Sequence, residues 1–194
     1  MNITPKIDYA LLGEAVQFYK SLGYEYREVP WAVPAAAIDA TLPPECDRVV
    51  LVVGNKRRDT DYHTTANELV GSAEQGFITL DLPPGRYVGV TPCFRVEDQY
   101  DILRQSMFMK VELFDNRAEP DAEVMVIEAE RFAHGHGVKA VRVDTDIGAD
   151  LMVDGVEIGS YGYRNIAPFG RWAYGTGLAL PRFSVAKAFQ SMVA

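Results

Sequence analysis

The segment Pro-Cys-Phe-Arg-Val-Glu-Asp at 92–98 carries a cation and a carboxylate, Arg95 and Glu97, two residues apart. Side chains two apart on a β-strand leave the same face, so these charges are expected to share one site. Phe108 and Lys110 alternate on a predicted return strand, and an antiparallel pair can set an aromatic ring beside those charges. Such a surface could hold a phosphate on Arg95, an amino-bearing ring edge on Glu97 and a ring face on Phe108. The alternative is an exposed hairpin with cross-strand ion pairs.

A second candidate site surrounds Asp154-Gly155, which stands between apolar flanks and is a strong signal for a two-residue hairpin turn. That turn places Asp150 diagonal to Glu157 on one face of the hairpin. Two carboxylates this close repel each other unless a divalent ion joins them to phosphate oxygens, and Mg²⁺ prefers such ligands. The alternative is a pair of acids beside a solvated turn. The same turn predicts the pairs Val153 with Val156 and Met152 with Glu157.

The strand after this turn contains Gly159 and Gly162 and ends near Arg164. Strict alternation would turn Arg164 to the opposite face from Glu157. A bulge at either glycine would bring the two side chains back to one face. A role for Arg164 as a partner of a carboxylate or phosphate therefore depends on that bulge.

A third candidate site is the segment from Gly175 to Gly177, which is predicted to open onto a helix. Small residues there would let a nucleotide approach the backbone, and Arg182 in the first helical turns could reach a terminal phosphate. A Gly-x-Gly segment is also common in ordinary turns, which is the alternative.

The apolar residues recur at helical spacing in some segments and alternate as in strands in others, so the sequence predicts an α+β fold that positions these groups. A helix ends before Gly23, and a flexible tip joins the two strands that carry the first site. A further helix is capped by Asp115 or Asn116 and has Pro120 in its first turn. The predicted helices are Tyr9–Leu22, about 65–77, 116–134 and 178–193. The predicted strands are 24–29, 48–53, 86–97, 107–114 and 138–144. A loop is predicted at 55–63, and an irregular stretch is predicted to begin at Pro34.

Length and composition predict one globular domain over residues 1–194, since the chain has 48% hydrophobic and 24% charged residues. We expect a cytoplasmic protein without a membrane span, because no leader or long apolar run is recognisable. Cys46 and Cys93 are expected to be free thiols. The net charge of -8 argues against a large nucleic-acid surface.

Taken in order, these segments resemble the three signature motifs of class II aminoacyl-tRNA synthetases. Residues 22–30, a helix end, a strand and a proline, are similar to the first motif. Phe94-Arg-Val-Glu97 together with Phe108 is similar to the second. Gly175-x-Gly177 together with Arg182 is similar to the third. Residues 150–164 resemble the family segment whose two acids hold magnesium and whose arginine contacts the amino acid. Ser72-Ala-Glu74-Gln75 resembles the segment that recognises the substrate's amino group.

The resemblance implies an antiparallel sheet flanked by helices, a homodimer formed through the first motif, and a site for ATP, Mg²⁺ and a small amino acid. It makes Arg95 and Arg182 the catalytic arginines. The implied ATP-binding residues are Arg95, Glu97, Phe108, Gly175, Gly177 and Arg182; the substrate-binding residues are Ser72, Glu74, Gln75, Tyr161, Tyr163 and Arg164; and the metal ligands are Asp150 and Glu157.

The function that these residues indicate is ATP- and Mg²⁺-dependent adenylation of a small carboxylate for transfer to an acceptor. Retention of both arginines and of the acids favours an enzyme. One alternative is a non-catalytic relative that binds nucleotide, amino acid or a partner protein. A third is aminoacylation of tRNA, with the RNA-binding parts supplied elsewhere.

Overall fold

The structure is a computed structural model that describes residues 6–43, 46–51 and 68–193. The loop predicted at 55–63 lies outside the described residues, as do the end of the strand predicted at 48–53 and the start of the helix predicted at 65–77. The helices are α1 (Tyr9–Ser21), α2 (Ala35–Asp39), α3 (Ala73–Phe77), α4 (Ala122–Gly135) and α5 (Arg182–Val193). The strands are β1 (Glu25–Tyr26), β2 (Ala32–Val33), β3 (Glu68–Leu69), β4 (Arg86–Phe94), β5 (Met107–Asp115), β6 (Val141–Thr145), β7 (Gly148–Val153), β8 (Val156–Ile166) and β9 (Gly170–Leu180).

Seven strands form one sheet in the order β1-β4-β5-β9-β8-β7-β6, and β2 pairs with β3 separately. The pair β1 and β4 is parallel, and every other pair in the large sheet is antiparallel. The predicted β4–β5 hairpin is present, with Cys93 opposite Phe108. However, β4 ends at Phe94, so Arg95 and Glu97 follow the strand and do not lie on it as predicted. The α+β prediction is confirmed.

The two faces of the large sheet are covered differently. Helices α1, α4 and α5 pack against one, which we call the helix face, and the main apolar core with Tyr19 and Tyr161 lies there. Helix α3 packs on the other, with α2 beside it, over a smaller core that contains Phe77, Phe114 and Trp172. These short helices cover only part of this second face, which we call the site face.

Helix ends follow their capping residues rather than the apolar pattern alone. Asp8 accepts from the backbone N–H of Leu11 at 3.1 Å and starts α1. Asp121 accepts from Val124 N–H at 3.1 Å and starts α4, so the prediction that Asp115 or Asn116 caps this helix is wrong. Asp115 has other partners, because it accepts from Arg117 and from the backbone N–H of Asp121.

Three segments have a different structure from the one predicted. Residues 68 and 69 were assigned to a helix but form β3, and α3 begins only at Ala73, after its capping residue Ser72. Residues 178–180 were assigned to a helix but form the end of β9. This strand is central and buried on both faces, so it is a continuous apolar run that periodicity cannot separate from a helix. Residues 35–39 were expected to be irregular but form α2, directly after Pro34. Among the residues that the structure describes, every helix is too short or too polar to cross a bilayer.

The β7–β8 hairpin has the predicted turn, with Asp154 and Gly155 at φ values of 48° and 81°. Its register shifts after the second cross-strand pair, which places a bulge in β8. The first two pairs are the predicted ones. In order from the turn, the pairs are Val153 with Val156, Met152 with Glu157, Leu151 with Gly159 and Asp150 with Ser160.

Candidate functional site

The uncovered part of the site face is a cleft at the end of the β4–β5 hairpin. Two adjoining hollows lie in it, and they share Phe108, Ala179 and Arg182. Phe108 lies on β5, Ala179 lies near the end of β9, and Arg182 is the first residue of α5. The return strand of the hairpin and the β9–α5 junction therefore form the cleft together, as the second and third candidate motifs predicted.

The first hollow combines one carboxylate with an aromatic ring and a guanidinium group. Its lining includes Glu97, Leu103 and Gln105 in addition to Phe108 and Arg182. Arg182 Nε donates to the carbonyl oxygen of Leu103 at 3.2 Å, which ties the tip of the hairpin to the start of α5. A purine ring can stack on such a ring and guanidinium, and its amino group can donate to the carboxylate.

The second hollow is rich in cations. Arg95, Lys110 and Arg182 line it, together with Glu157 and Thr176. The guanidinium of Arg95 lies 5.5 Å from the centre of the Phe108 ring. Arg182 Nη1 lies 3.5 Å from Glu157 Oε1, so the acid of the β7–β8 hairpin meets the arginine that begins α5. Cations that converge in this way suit the oxygens of a polyphosphate.

Lys110 is held at the floor of this hollow by a buried acid. Its Nζ lies 2.7 Å from Glu112 Oε1, and Glu112 also accepts from the Ser72 hydroxyl at 2.7 Å and from Ala73 N–H. Burial opposes the charge of the ammonium, but the carboxylate of Glu112 outweighs burial and raises the pKa of Lys110. Lys110 is therefore a permanent cation, and Ser72 is engaged with the acid.

A second buried acid fixes Arg164. Glu74 Oε1 accepts from Arg164 Nε at 2.8 Å and from Trp172 Nε1 at 2.7 Å. Burial raises the pKa of Glu74, and these two donors offset only part of that rise. Arg164 also lies over the ring of Tyr174, 5.0 Å from its centre, and donates to the carbonyl oxygen of Thr41. Its guanidinium is thereby oriented on the site face.

The bulge in β8 decides which side chains of this strand reach the cleft. Because of it, Glu157 and Arg164 lie on the same face, which is the outcome that the sequence made conditional on a bulge. Tyr161 lies on the helix face, where its hydroxyl donates to the carbonyl oxygen of Thr176 at 2.6 Å. Tyr163 also lies on the helix face and accepts from Ala122 N–H at 3.0 Å. The structure therefore does not bring Tyr161 and Tyr163, which were predicted to bind substrate, to the cleft.

Gln75 and the two glycines of the third motif also have structural roles. Gln75 Oε1 accepts from Gly71 N–H at 2.7 Å, its Nε2 donates to Thr41 at 3.0 Å, and it closes the capping box of α3. A Cβ on Gly175 would lie 2.6 Å from the Tyr161 ring, and one on Gly177 would lie 2.6 Å from the Tyr19 ring. These glycines make room for core tyrosines, which gives a packing reason for small residues at the two positions that were predicted to clear space for a nucleotide.

The predicted pair of metal ligands is only partly assembled. Glu157 lines the second hollow, whereas Asp150 lies opposite Ser160, which the bulge displaces from Glu157. In the described ranges, His, Cys, Asp and Glu form no group of three or more that could hold a metal by themselves. Mg²⁺ commonly takes only one or two carboxylates and completes its coordination with water and phosphate oxygens, so this donor set fits a nucleotide-bound ion.

Several side chains of the site face were not among the predicted catalytic, binding or metal residues: Lys110, Glu112, Ser160, Tyr174 and Thr176. The first two alternate with Phe108 along β5, and that signal was available in the sequence. Thr176 and Tyr174 were hidden inside the segment interpreted as a turn before a helix. Ser160 required knowledge of the bulge.

Comparison with known proteins gives a consistent picture. No protein-family model matches the chain. The serine-tRNA ligase of Cenarchaeum symbiosum (strain A) is 27% identical over 152 residues, which cover 69% of this chain and 34% of that protein. The crystal structure of the cytoplasmic serine-tRNA ligase from Naegleria fowleri in complex with AMP has a TM-score of 0.70 at 16% identity and covers 91% of this chain. Seryl-tRNA synthetase from Pyrococcus horikoshii, complexed with ATP, also has a TM-score of 0.70, at 20% identity over 92% of this chain.

The chain has the fold of a class II synthetase catalytic core. The recognition made from the three motifs is thereby confirmed at the level of the fold. The match covers 46% of the Naegleria chain and 49% of the Pyrococcus chain, so this chain spans less than half of either one.

Proposed function

We propose that this class II synthetase core binds ATP with Mg²⁺ in the cleft and activates a small amino acid as its adenylate. The observation that carries the proposal is the convergence of Arg95, Phe108, Arg182 and Glu157 on two adjoining hollows. These residues come from three segments that the sequence separates by up to about ninety positions. The relatives of this fold named above, crystallised with AMP and with ATP, support a nucleotide as the ligand.

The first hollow fits the base of the nucleotide. Phe108 and the guanidinium of Arg182 can stack on a purine, and Glu97 can accept a hydrogen bond from its amino group. The second hollow fits the phosphates, because Arg95 and Lys110 supply charge that offsets theirs. We assign Arg95 to the α-phosphate and Arg182 to the terminal phosphate.

The amino acid fits the neighbouring part of the site face, between Lys110 and Arg164. Tyr174 and Thr176 lie on β9 between these two cations, and Ser160 lies on β8 beside them. Arg164 is anchored by Glu74 and can hold a carboxylate through its remaining N–H groups. Glu112 is paired with Thr176 across β5 and β9 and is bonded to Ser72, so we propose that these side chains border the substrate region and favour a small amino acid.

Magnesium would be held by Glu157 and by phosphate oxygens of the nucleotide, with Asp150 as the second candidate ligand. When bound, it would neutralise charge on the phosphates. The protein residues orient the substrate carboxylate for in-line attack on the α-phosphorus. A bond from the carboxylate oxygen to phosphorus forms as the bond to pyrophosphate breaks, and positioning and charge carry the rate without a protein nucleophile.

The test is ATP–pyrophosphate exchange with a panel of single amino acids. We expect exchange with a small amino acid, and a decrease of about 10²–10³-fold in Arg95→Ala, the scale for removing a donor that stabilises transition-state charge. Arg171→Ala is the matched control, since Arg171 is an exposed arginine on β9 outside the cleft. Both variants should melt within a few degrees of wild type.

The outcomes separate the rival functions. ATP binding without exchange by any amino acid would favour the non-catalytic alternative. Exchange that Arg95→Ala leaves unchanged would contradict the assignment of the cleft. Formation of aminoacyl-tRNA by the isolated chain would support tRNA aminoacylation instead of another acceptor.

A further inference from the structure

Strand β6 lies at the end of the large sheet and is exposed along its whole length. In the part of the chain that the structure describes, it pairs with β7 and with no other strand. All five of its residues are exposed, and Val141 and Val143 keep 64% and 46% of their surface. Ile147 in the adjoining turn keeps 70%. Natural sheets protect such edges, because unpaired backbone groups beside apolar side chains are a template for another strand.

The backbone of β6 presents Arg142 and Asp144 to the outer edge. Thr145 and Gly148 close the two-residue hairpin between β6 and β7, and a closing pair of this kind is hydrogen-bonded. Every second residue from Thr145 therefore turns its N–H and C=O towards β7. Arg142 and Asp144 alternate with these residues and turn theirs outward.

The side chains of β6 also alternate, and they separate charge from apolar surface. Arg142 and Asp144 lie on the helix face, where Arg142 donates to Asp144 Oδ1 at 2.7 Å and to Glu123 of α4 at 3.0 Å. Val141 and Val143 lie on the site face, opposite Met152 and Asp150 of β7. The sequence Val-Arg-Val-Asp-Thr thus has opposite charges placed symmetrically about a central valine.

We propose that the outer edge of β6 pairs antiparallel with β6 of a second copy of this chain, with Val143 opposite the partner's Val143. A two-fold axis through this pair places Arg142 opposite the partner's Asp144, and Asp144 opposite the partner's Arg142. Both of these pairs consist of residues whose backbone groups point outward, so they exchange ladder hydrogen bonds. The valines meet in the close, non-hydrogen-bonded position between them.

Charge selects this register over its neighbours. A shift of each strand that keeps the same backbone groups outward would place Arg142 opposite the partner's Arg142, or Asp144 opposite the partner's Asp144. Like charges directly opposite each other destabilise a strand pair, whereas opposite charges stabilise it. One register therefore satisfies the backbone, the charges and the valine at the axis together.

This contact is distinct from the dimer implied by the first motif. That motif contributes α1 and β1, and β1 lies at the other end of the large sheet from β6. The pairing we propose joins two seven-stranded sheets into one of fourteen, within the range known for open sheets in large proteins. It leaves both clefts exposed on the same continuous face.

The first experiment is a disulfide scan in a Cys46→Ala background, because Cys46 is exposed and Cys93 is buried. Residues opposite each other in a non-hydrogen-bonded pair have Cα atoms about 4.5 Å apart, within reach of a disulfide. We expect Val143→Cys to form a covalent dimer under mild oxidation. Val141→Cys is the matched control on the same face, and its two copies would lie about 13 Å apart, four residues out of register.

The second experiment reverses the charges in the Val143→Cys chain. Arg142→Asp and Asp144→Arg each place like charges across the axis, so each alone should crosslink about tenfold less. A mixture of the two chains again has opposite charges at every position and should crosslink as efficiently as the parent. Recovery in the mixture also shows that neither variant is misfolded, and thermal melting of each chain checks this independently.

Equal crosslinking of Val143→Cys and Val141→Cys would overturn the proposal. So would charge-reversed chains that crosslink alone as well as they do in the mixture. Preferential crosslinking at position 143, lost in each single charge variant and regained in their mixture, would establish the pairing and its register.

Discussion

Two side chains, Phe108 and Arg182, line both hollows of the cleft, and each is fixed by a different part of the chain. Phe108 stands on β5 opposite Cys93, and Arg182 is tied to the carbonyl oxygen of Leu103. A base held between them would be positioned by the hairpin and by the β9–α5 junction at once. The carboxylate of Glu97 would accept a hydrogen bond from an amino group on the edge of such a base.

Cys93 is a buried thiol beneath this cleft. Burial, together with the nearby Glu112 carboxylate, raises the pKa of Cys93 to about 12, and Lys110 only partly opposes this effect. A thiol needs its thiolate form to act as a nucleophile, so Cys93 is inert at neutral pH. This agrees with a reaction in which the substrate carboxylate itself attacks the phosphate.

The role of Glu157 can be tested by removing its charge without changing its shape. We expect Glu157→Gln to weaken Mg²⁺-dependent binding of ATP by about 1–3 kcal/mol, the scale for the loss of a charged partner. Calorimetric titration with ATP, with and without Mg²⁺, measures the change. Binding without Mg²⁺ should change much less.

Asp154→Asn is the control for Glu157→Gln, because Asp154 is an exposed acid of the same hairpin and asparagine tolerates its positive φ. It should leave both titrations unaltered. Asp150→Asn shows whether the second acid shares the ion, since only a shared ion would be weakened by this change. An unaltered Mg²⁺ titration in Glu157→Gln would remove Glu157 from the metal site.

At the scale of the elements, the sequence predicted some features of β8 and β9 and missed others. The Asp154-Gly155 turn is a local signal, so the hairpin and its first pairs followed from it. The bulge lies between the second and third pairs, and the turn residues do not specify its position. Tyr161 and Tyr163 were predicted to bind substrate together with Arg164, although alternation along the strand separates both from Arg164.

The third motif was misinterpreted for a related reason. Its glycines lie inside β9, where they face Tyr161 and Tyr19. A sequence shows that a small residue is required at a position but does not show which neighbour requires it. The arginine of the motif, Arg182, nevertheless lies in the cleft, because it begins α5 directly after β9 and Pro181.

The packing role of Gly175 makes a testable distinction from nucleotide binding. A Cβ there would lie 2.6 Å from the Tyr161 ring and 3.2 Å from Met125 Sδ. We expect Gly175→Ala to lower the free energy of unfolding by about 1–3 kcal/mol, the range for overpacking a core. Urea denaturation measures the loss, and ATP affinity of the folded protein should change little.

Gly13→Ala is the matched control for this substitution. Gly13 is exposed within α1, and an added Cβ would meet nothing within 4 Å. Alanine is a better helix former there by about 1 kcal/mol, so this variant should be more stable than wild type. A Gly175→Ala protein that folds normally but binds ATP poorly would return Gly175 to the nucleotide site.

The junction between β5 and α4 depends on Asp115, whose side chain is fully buried. Burial opposes its charge, but bonds from Arg117 and from the backbone of Asp121 outweigh burial and lower the pKa of Asp115 below its ordinary value of 3.8. The charged form is therefore more favourable in the folded state than in the unfolded one. Its stabilisation is present above pH 3.8 and is lost as the pH falls through the lower pKa of the folded state.

We expect Asp115→Asn to lower the free energy of unfolding by about 1–3 kcal/mol at pH 7. The difference from wild type should shrink as the pH is lowered below 3.8. Denaturation by urea at several pH values measures this, with Asp81→Asn as the control because Asp81 is an exposed acid. A difference that stayed constant down to low pH would show that the loss is one of packing and not of charge.

At the scale of the whole molecule, the seven-stranded sheet explains why the fold could be recognised from weak local signals. No single motif was specific, but their order fixed which strands are neighbours, and β4, β5 and β9 are neighbours in the sheet. Side chains from the second and third motifs therefore had to meet. The order of the motifs did not predict that α2 and α3 cover part of the site face, because those helices are short and their contacts are long-range.

The charge of the whole molecule separates the remaining functions. With a net charge of -8 and a pI near 4.9, the chain should repel polyanions. The cleft has few cationic side chains, and two of them, Lys110 and Arg182, are paired with acids. We expect no retardation of tRNA in electrophoretic assays at about 150 mM salt, where only contacts with many phosphates resist screening. Exchange of pyrophosphate should proceed without added tRNA under the same conditions. A retarded band that disappears as salt is raised would instead show a phosphate-binding surface, and tRNA aminoacylation would then be the function to test first.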